Sequence, residues 1–168
     1  VVFNDFLTHN ELKKIFAINP KWEKGSTIKN QDARIVDTYD ITGKFAWLDQ
    51  KVAKLVQERN KGFSYKIKRI NETRLLQYRP GGKYDWHQDV IWSEPEHRKF
   101  TYIIQLSKQH EYTGGDFEFR DADNIDLSTF RKQGSIIVFP SIMHHRITPL
   151  TKGIRFSIVG WVVGPQWT

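Results

Sequence analysis

In His87-Gln88-Asp89 an imidazole and a carboxylate stand two residues apart. On a β-strand that spacing turns both side chains to one face and sends Gln88 to the other. Each group can bind a divalent cation, so the pair can form part of a metal site. A third ligand has to come from a distant strand, and His145 is the best candidate. Two neutral imidazoles and one carboxylate cover one face of an octahedron, the arrangement suited to non-haem iron(II). The open positions opposite can take a bidentate 2-oxo acid and dioxygen. Taken alone, the pair is a weak sign, because His and Asp are common on surfaces. His144-His145 adds an ambiguity. On a strand His145 shares a face with Ile147 and His144 with Arg146, and parity does not say which face is inside.

The elements that must position these groups change character along the chain. Residues 8–18 read as a helix, with Thr8 and Glu11 at capping-box spacing, Leu12, Ile15 and Phe16 at helical intervals, and Pro20 as the stop. A second helix is expected over residues 45–59, with Phe45, Leu48, Val52, Leu55 and Val56 on one stripe. Residues 35–39 can form a strand between them. From Phe63 onward short strands and turns take over. Strands are expected over residues 65–70, 74–78, 86–90, 100–106, 116–120, 135–139 and 154–163, with turns at Pro80-Gly81-Gly82 and Gly114-Gly115. Helices first and strands after them fit an antiparallel barrel or sandwich with helical support.

The composition bounds the answer more loosely. The chain has 168 residues, enough for a hydrophobic core in one domain. Cysteine is absent, which removes disulfides, thiolate nucleophiles and sulfur-rich metal sites. No secretory or membrane-spanning apolar run is present, no membrane partner is expected, and a cytoplasmic setting is. Opening on Val1 rather than Met leaves open an original N-terminus upstream. The formal charge of +7 would favour acidic partners. The basic residues are scattered, with Lys66, Lys68, Arg69 and Arg74 the nearest approach to a patch.

An ordered series of motifs is more specific. It runs through Tyr78-Arg79-Pro80-Gly81-Gly82, Tyr84, His87-Gln88-Asp89, Gln105-Leu106-Ser107, and Tyr112 with Gly114-Gly115-Asp116. It continues in Gly134-Ser135, Phe139-Pro140-Ser141, His145-Arg146-Ile147-Thr148-Pro149, Gly153-Ile154-Arg155 and Trp161. From Leu75 to Trp161 the chain resembles the prolyl 4-hydroxylase-like branch of the 2-oxoglutarate and Fe(II)-dependent dioxygenases. The resemblance implies a mainly β fold with supporting N-terminal helices, a double-stranded β-helix (jelly-roll) barrel. The helical support would occupy residues 1–62 and the catalytic barrel residues from about 63 to 168 of a single domain.

The same resemblance assigns roles. It makes His87, Asp89 and His145 the iron ligands, with His144 a neighbour rather than a ligand. Arg155 would hold the far carboxylate of 2-oxoglutarate, a task its planar fork suits. Tyr78, Ser157, Gln105 and Thr101 would complete the co-substrate pocket, although Gln105 stands where some relatives carry a tyrosine. Tyr84, Trp86 and Trp92 are candidates for the substrate entrance. The implied cofactors are Fe(II), with 2-oxoglutarate and O2 as co-substrates and ascorbate as a candidate reductant. The implied reaction is hydroxylation of an unactivated carbon, with peptidyl proline the leading substrate. Alternatives are another peptide residue or a small molecule, nucleic-acid demethylation, and a non-catalytic ligand-binding barrel. The demethylating relatives' usual second arginine is absent from the end of this chain, which argues against nucleic acid.

Overall fold

Thr8 and Glu11 close the expected capping box in the computed structural model of the protein, which describes residues 2–25, 31–120, 122 and 125–167. The Thr8 amide donates to the Glu11 carboxylate at 2.7 Å and the Glu11 amide to the Thr8 hydroxyl at 3.3 Å. Two otherwise unpaired groups are thereby satisfied. Helix α1 follows as His9–Phe16, and α2 spans Ala46–Asn60.

The strands run in chain order as Val2–Phe3 (β1), Glu23–Lys24 (β2), Arg34–Ile35 (β3), Asp37–Asp40 (β4), Arg69–Tyr78 (β5) and Lys83–His87 (β6). After them come Glu96–Gln105 (β7), Tyr112–Gly114 (β8), Phe117–Phe119 (β9), Ile136–Pro140 (β10), His145–Ile147 (β11), Leu150–Gly153 (β12) and Arg155–Pro165 (β13). Among the described residues they form three sheets, ordered β1-β10-β7-β13-β5-β4-β2, β3-β6-β11-β9 and β12-β8, with every pairing antiparallel.

These sheets are not closed into a barrel, which corrects the jelly-roll barrel expected from the sequence. Closure needs a continuous ladder around the circumference. Here the strands that would carry it across are too short: β1, β2 and β3 have two residues each and β9 has three. The chain instead crosses between sheets at corners such as Val36, which separates β3 from β4.

Both faces of the seven-stranded sheet are covered, and the period-2 rule sorts adjacent residues between them. Leu75, Ile104 and Ile158 join the core under the helices, with Leu12, Ile15, Leu48, Val52 and Val56. Their neighbours Leu76, Ile103 and Val159 join a second core on the other face, against Phe117 and Ile147. The second core lies beside the metal residues. No helix among the described residues is long and apolar enough to cross a membrane.

Candidate metal centre and its cavity

The antiparallel pairing of β6 with β11 sets His87 directly opposite His145. Asp89 lies just beyond the end of β6, where its amide donates to the Ser141 carbonyl at 2.9 Å. One ligand atom from each of His87, Asp89 and His145 lies within 4.8 Å of the others. The His87 Nε2 is 3.5 Å from one Asp89 oxygen and the His145 Nε2 is 3.4 Å from the other. The back of each ring is tied to the main chain. His87 Nδ1 meets the Asp85 carbonyl at 2.7 Å and His145 Nδ1 meets the Met143 carbonyl at 2.9 Å. A carbonyl only accepts, so each Nδ1 carries the proton and each Nε2 offers a lone pair to the shared space. This pairing resolves the ambiguity at His144-His145: His145 is buried and faces the site.

Asp89 is buried, which by itself would raise its pKa. His145 and His87, with the Thr101 hydroxyl donating to its Oδ2 at 2.7 Å, outweigh burial and hold the carboxyl well below the usual range. Burial lowers the pKa of His145, which favours the neutral imidazole a metal needs. Thr101 also shares a 2.9 Å hydrogen bond with Ser141, so the carboxylate is fixed by a short buried network.

The triad opens into a small cavity. Arg155, Ser157, Val159 and Trp161 line it from alternate positions of β13, and Leu76 and Tyr78 from β5. Arg155 is 1% exposed, yet its Nε has no hydrogen-bond partner. Its Nη1 lies 3.4 Å from the Ser157 hydroxyl, and its guanidinium carbon is 5.6 Å from the ring of Tyr78, its cross-strand neighbour. Burial raises the Tyr78 pKa and Arg155 offsets part of that rise. A buried cation without a carboxylate partner is costly unless a ligand completes it.

The other expected residues divide. Tyr84 lines the cavity, and burial pushes its phenol up to about 12. Thr101 serves Asp89 and is not among the cavity-lining residues. Gln105 is buried beside the cavity without lining it, donating to the Tyr112 hydroxyl and the Ser107 carbonyl, both at 3.0 Å. The guanidinium groups of Arg120 and Arg146 lie 5.3 Å and 4.6 Å from the ring centre of Trp86, which is outside the cavity lining. Trp92 is 58% exposed in the loop after β6.

Three contributors were given no site role from the sequence. Trp161 lines the cavity and its buried Nε1 has no hydrogen-bond partner. Arg98 lies 3.7 Å from the centre of its ring, and Arg98 is fixed in turn by the Glu72 carboxylate at 3.2 Å and the Asp89 carbonyl at 3.4 Å. Counting in twos from Arg155 would have found Trp161. Arg34 reaches the cavity from β3, and no local pattern announces it.

The sequence pattern of the 2OG-Fe(II) oxygenase superfamily matches residues 73–163, more than half the chain. The chain belongs to that superfamily. A PKHD-type hydroxylase of Idiomarina loihiensis is 30% identical over 95 residues, which cover 56% of this chain and 43% of that protein. A PKHD-type hydroxylase of a Synechococcus strain is 25% identical over 175 residues, covering 94% of this chain and 78% of that one. The fold is shared with a Pseudomonas putida prolyl-4-hydroxylase at TM-score 0.70 and 21% identity, over 96% of this chain and 90% of that one. It is shared too with a Trichoplax adhaerens prolyl hydroxylase solved with a hypoxia inducible factor peptide, at TM-score 0.75 and 18% identity, over 98% of this chain and 83% of that one. The residues present fit what a 2OG-Fe(II) oxygenase must hold. Two Nε2 lone pairs and an ionised carboxylate suit Fe(II), and the buried Arg155, whose Nε has no partner, suits a carboxylate.

Proposed function

We propose that this 2OG-Fe(II) oxygenase is a hydroxylase of peptidyl proline, with His87, Asp89 and His145 holding iron and Arg155 holding the far carboxylate of 2-oxoglutarate. The observation that carries the reading is the buried guanidinium of Arg155, with no hydrogen-bond partner at Nε, in the same cavity as the His-Asp-His set. The bound metal and co-substrate supply the oxidising power, while the protein supplies ligands, orientation and a protected space.

The residues around them divide that work. The main-chain carbonyls of Asp85 and Met143 hold the imidazoles in the tautomer that presents Nε2. Thr101 holds Asp89. Ser157, beside Arg155, offers a second polar contact to the same carboxylate. The apolar walls from Leu76, Ile103, Ile147 and Val159 exclude water and strengthen the charge pairing between Arg155 and its ligand. Tyr78 and Trp161 give the cavity aromatic surfaces, and Trp161 adds an unused N–H donor. Such surfaces suit the ring and carbonyl of a prolyl residue better than a charged side chain. The peptide bound to the Trichoplax neighbour supports a peptide substrate on the same fold.

Mass spectrometry of a panel of proline-containing peptides, incubated with enzyme, Fe(II), 2-oxoglutarate and O2, tests the substrate. The expected result is a gain of one oxygen on proline, matched by succinate. Turnover of a free amino acid or nucleobase with no peptide oxidised rejects the prolyl reading.

A further inference from the structure

We propose that the Tyr84 ring, backed by Arg34, is a clamp that positions the metal ligand His87. The proposal rests on the metal centre put forward above and concerns what keeps one of its ligands in place.

The two imidazoles are held unequally. The His145 side chain is 4% exposed, with the rings of Phe139 and Phe117 centred 4.8 Å and 5.6 Å from its own. The His87 side chain is 15% exposed and sits at the very end of β6. Its ring is tied to the main chain through the Asp85 carbonyl, in a part of β6 where the ladder is interrupted. Four residues of β6, Tyr84 to His87, are matched to three of β11, His145 to Ile147. This irregularity has a consequence for direction. In a regular strand Tyr84 and His87 would point to opposite faces, whereas the extra residue turns both to the cavity.

The result is a stack. The Tyr84 and His87 rings are 3.4 Å apart between centroids, with planes inclined by 13°. The β3–β6 ladder sets Arg34 directly opposite Tyr84, and its guanidinium lies 4.9 Å from the phenol ring centre. A hydrogen bond at Nδ1 fixes one direction of an imidazole but leaves its plane free to tilt. Contact with a flat ring removes that tilt, and a cation over the ring holds the phenol against it. Tyr84 therefore acts through His87 by its ring rather than by its hydroxyl. Groups that orient a metal-bound histidine affect metal affinity about 10–100-fold when removed.

Titration of the whole protein with Co(II), followed by calorimetry and by proton NMR of the paramagnetically shifted imidazole N–H signals, separates the outcomes. Tyr84→Phe keeps the ring and is expected to bind Co(II) as the wild type does. Tyr84→Leu is expected to lose about 10-fold in affinity and to broaden one N–H signal, that of His87, leaving that of His145 unchanged. Wild-type protein that binds no Co(II) overturns the metal centre and the clamp together. Wild-type binding with unchanged affinity and signals in Tyr84→Leu overturns the clamp alone. Should Tyr84→Leu fail an apo-protein melting control, Arg34→Gln decides. Weaker Co(II) binding with a broadened His87 signal supports the clamp, and wild-type behaviour overturns it.

Discussion

Arg155 concentrates the functional argument in one side chain. It is 1% exposed, its Nε is unpartnered, and its guanidinium meets the Ser157 hydroxyl and the Tyr78 ring. Stability alone would not select such a residue, because an unpaired buried charge penalises the fold. Arg155→Met should therefore separate stability from function. Denaturant unfolding of the apo-protein is expected to show a neutral or stabilising change, by up to about 4 kcal/mol on the scale seen when buried charges give way to apolar groups. Calorimetry should show 2-oxoglutarate binding lost in the same variant. Arg155→Lys keeps the charge but not the fork, and is expected to bind more weakly than wild type. A destabilised Arg155→Met that still binds 2-oxoglutarate would contradict this. The spacing from His145 to Arg155 was readable in the sequence; that the Arg155 Nε lacks an internal partner was not, because partners are set by packing.

Among the elements, the helices were the more legible. The capping box at Thr8 and the apolar stripe of α2 are local patterns, and the observed bounds lie close to the expected ones. The strands were legible in kind but not in extent. Residues expected to form two strands, 65–70 and 74–78, yield one strand from Arg69 to Tyr78, because its ladder with β13 continues through the polar residues between them. The strand expected over residues 86–90 ends at His87, leaving Asp89 beyond it. The irregularity in β6 depends on its partner β11 and cannot be read from β6 alone. The turn between β8 and β9 shows an element acting on the site. Gly115 has a φ of +61°, and a Cβ there would lie 2.8 Å from Leu150 Cδ1 and 3.3 Å from Arg155 Cδ. Gly115→Ala is expected to destabilise by about 1–2 kcal/mol from the left-handed backbone alone. Displacing Arg155 should also raise KM for 2-oxoglutarate more than it lowers kcat. An unchanged KM would show that the turn does not constrain Arg155.

At the scale of the whole molecule, three of the four basic residues that the sequence brings closest together are engaged in ion pairs. Lys68 and Arg69 both pair with Glu96, and Arg74 pairs with Glu72. The sheet arrangement was the least legible feature. Alternation sorts a strand's residues between two faces without saying which is inside, and closure depends on edge strands of two or three residues that carry little pattern of their own. What the fold achieves is convergence: β6 and β11 bring the imidazoles together, and β13 brings Arg155 to the same cavity. The most direct test of that convergence is anaerobic titration of the wild-type protein with Fe(II) and 2-oxoglutarate, followed by visible absorption. A weak charge-transfer band is expected in the wild type, lost in His87→Ala and in His145→Ala. A band that persists unchanged in either variant would contradict the metal centre described above.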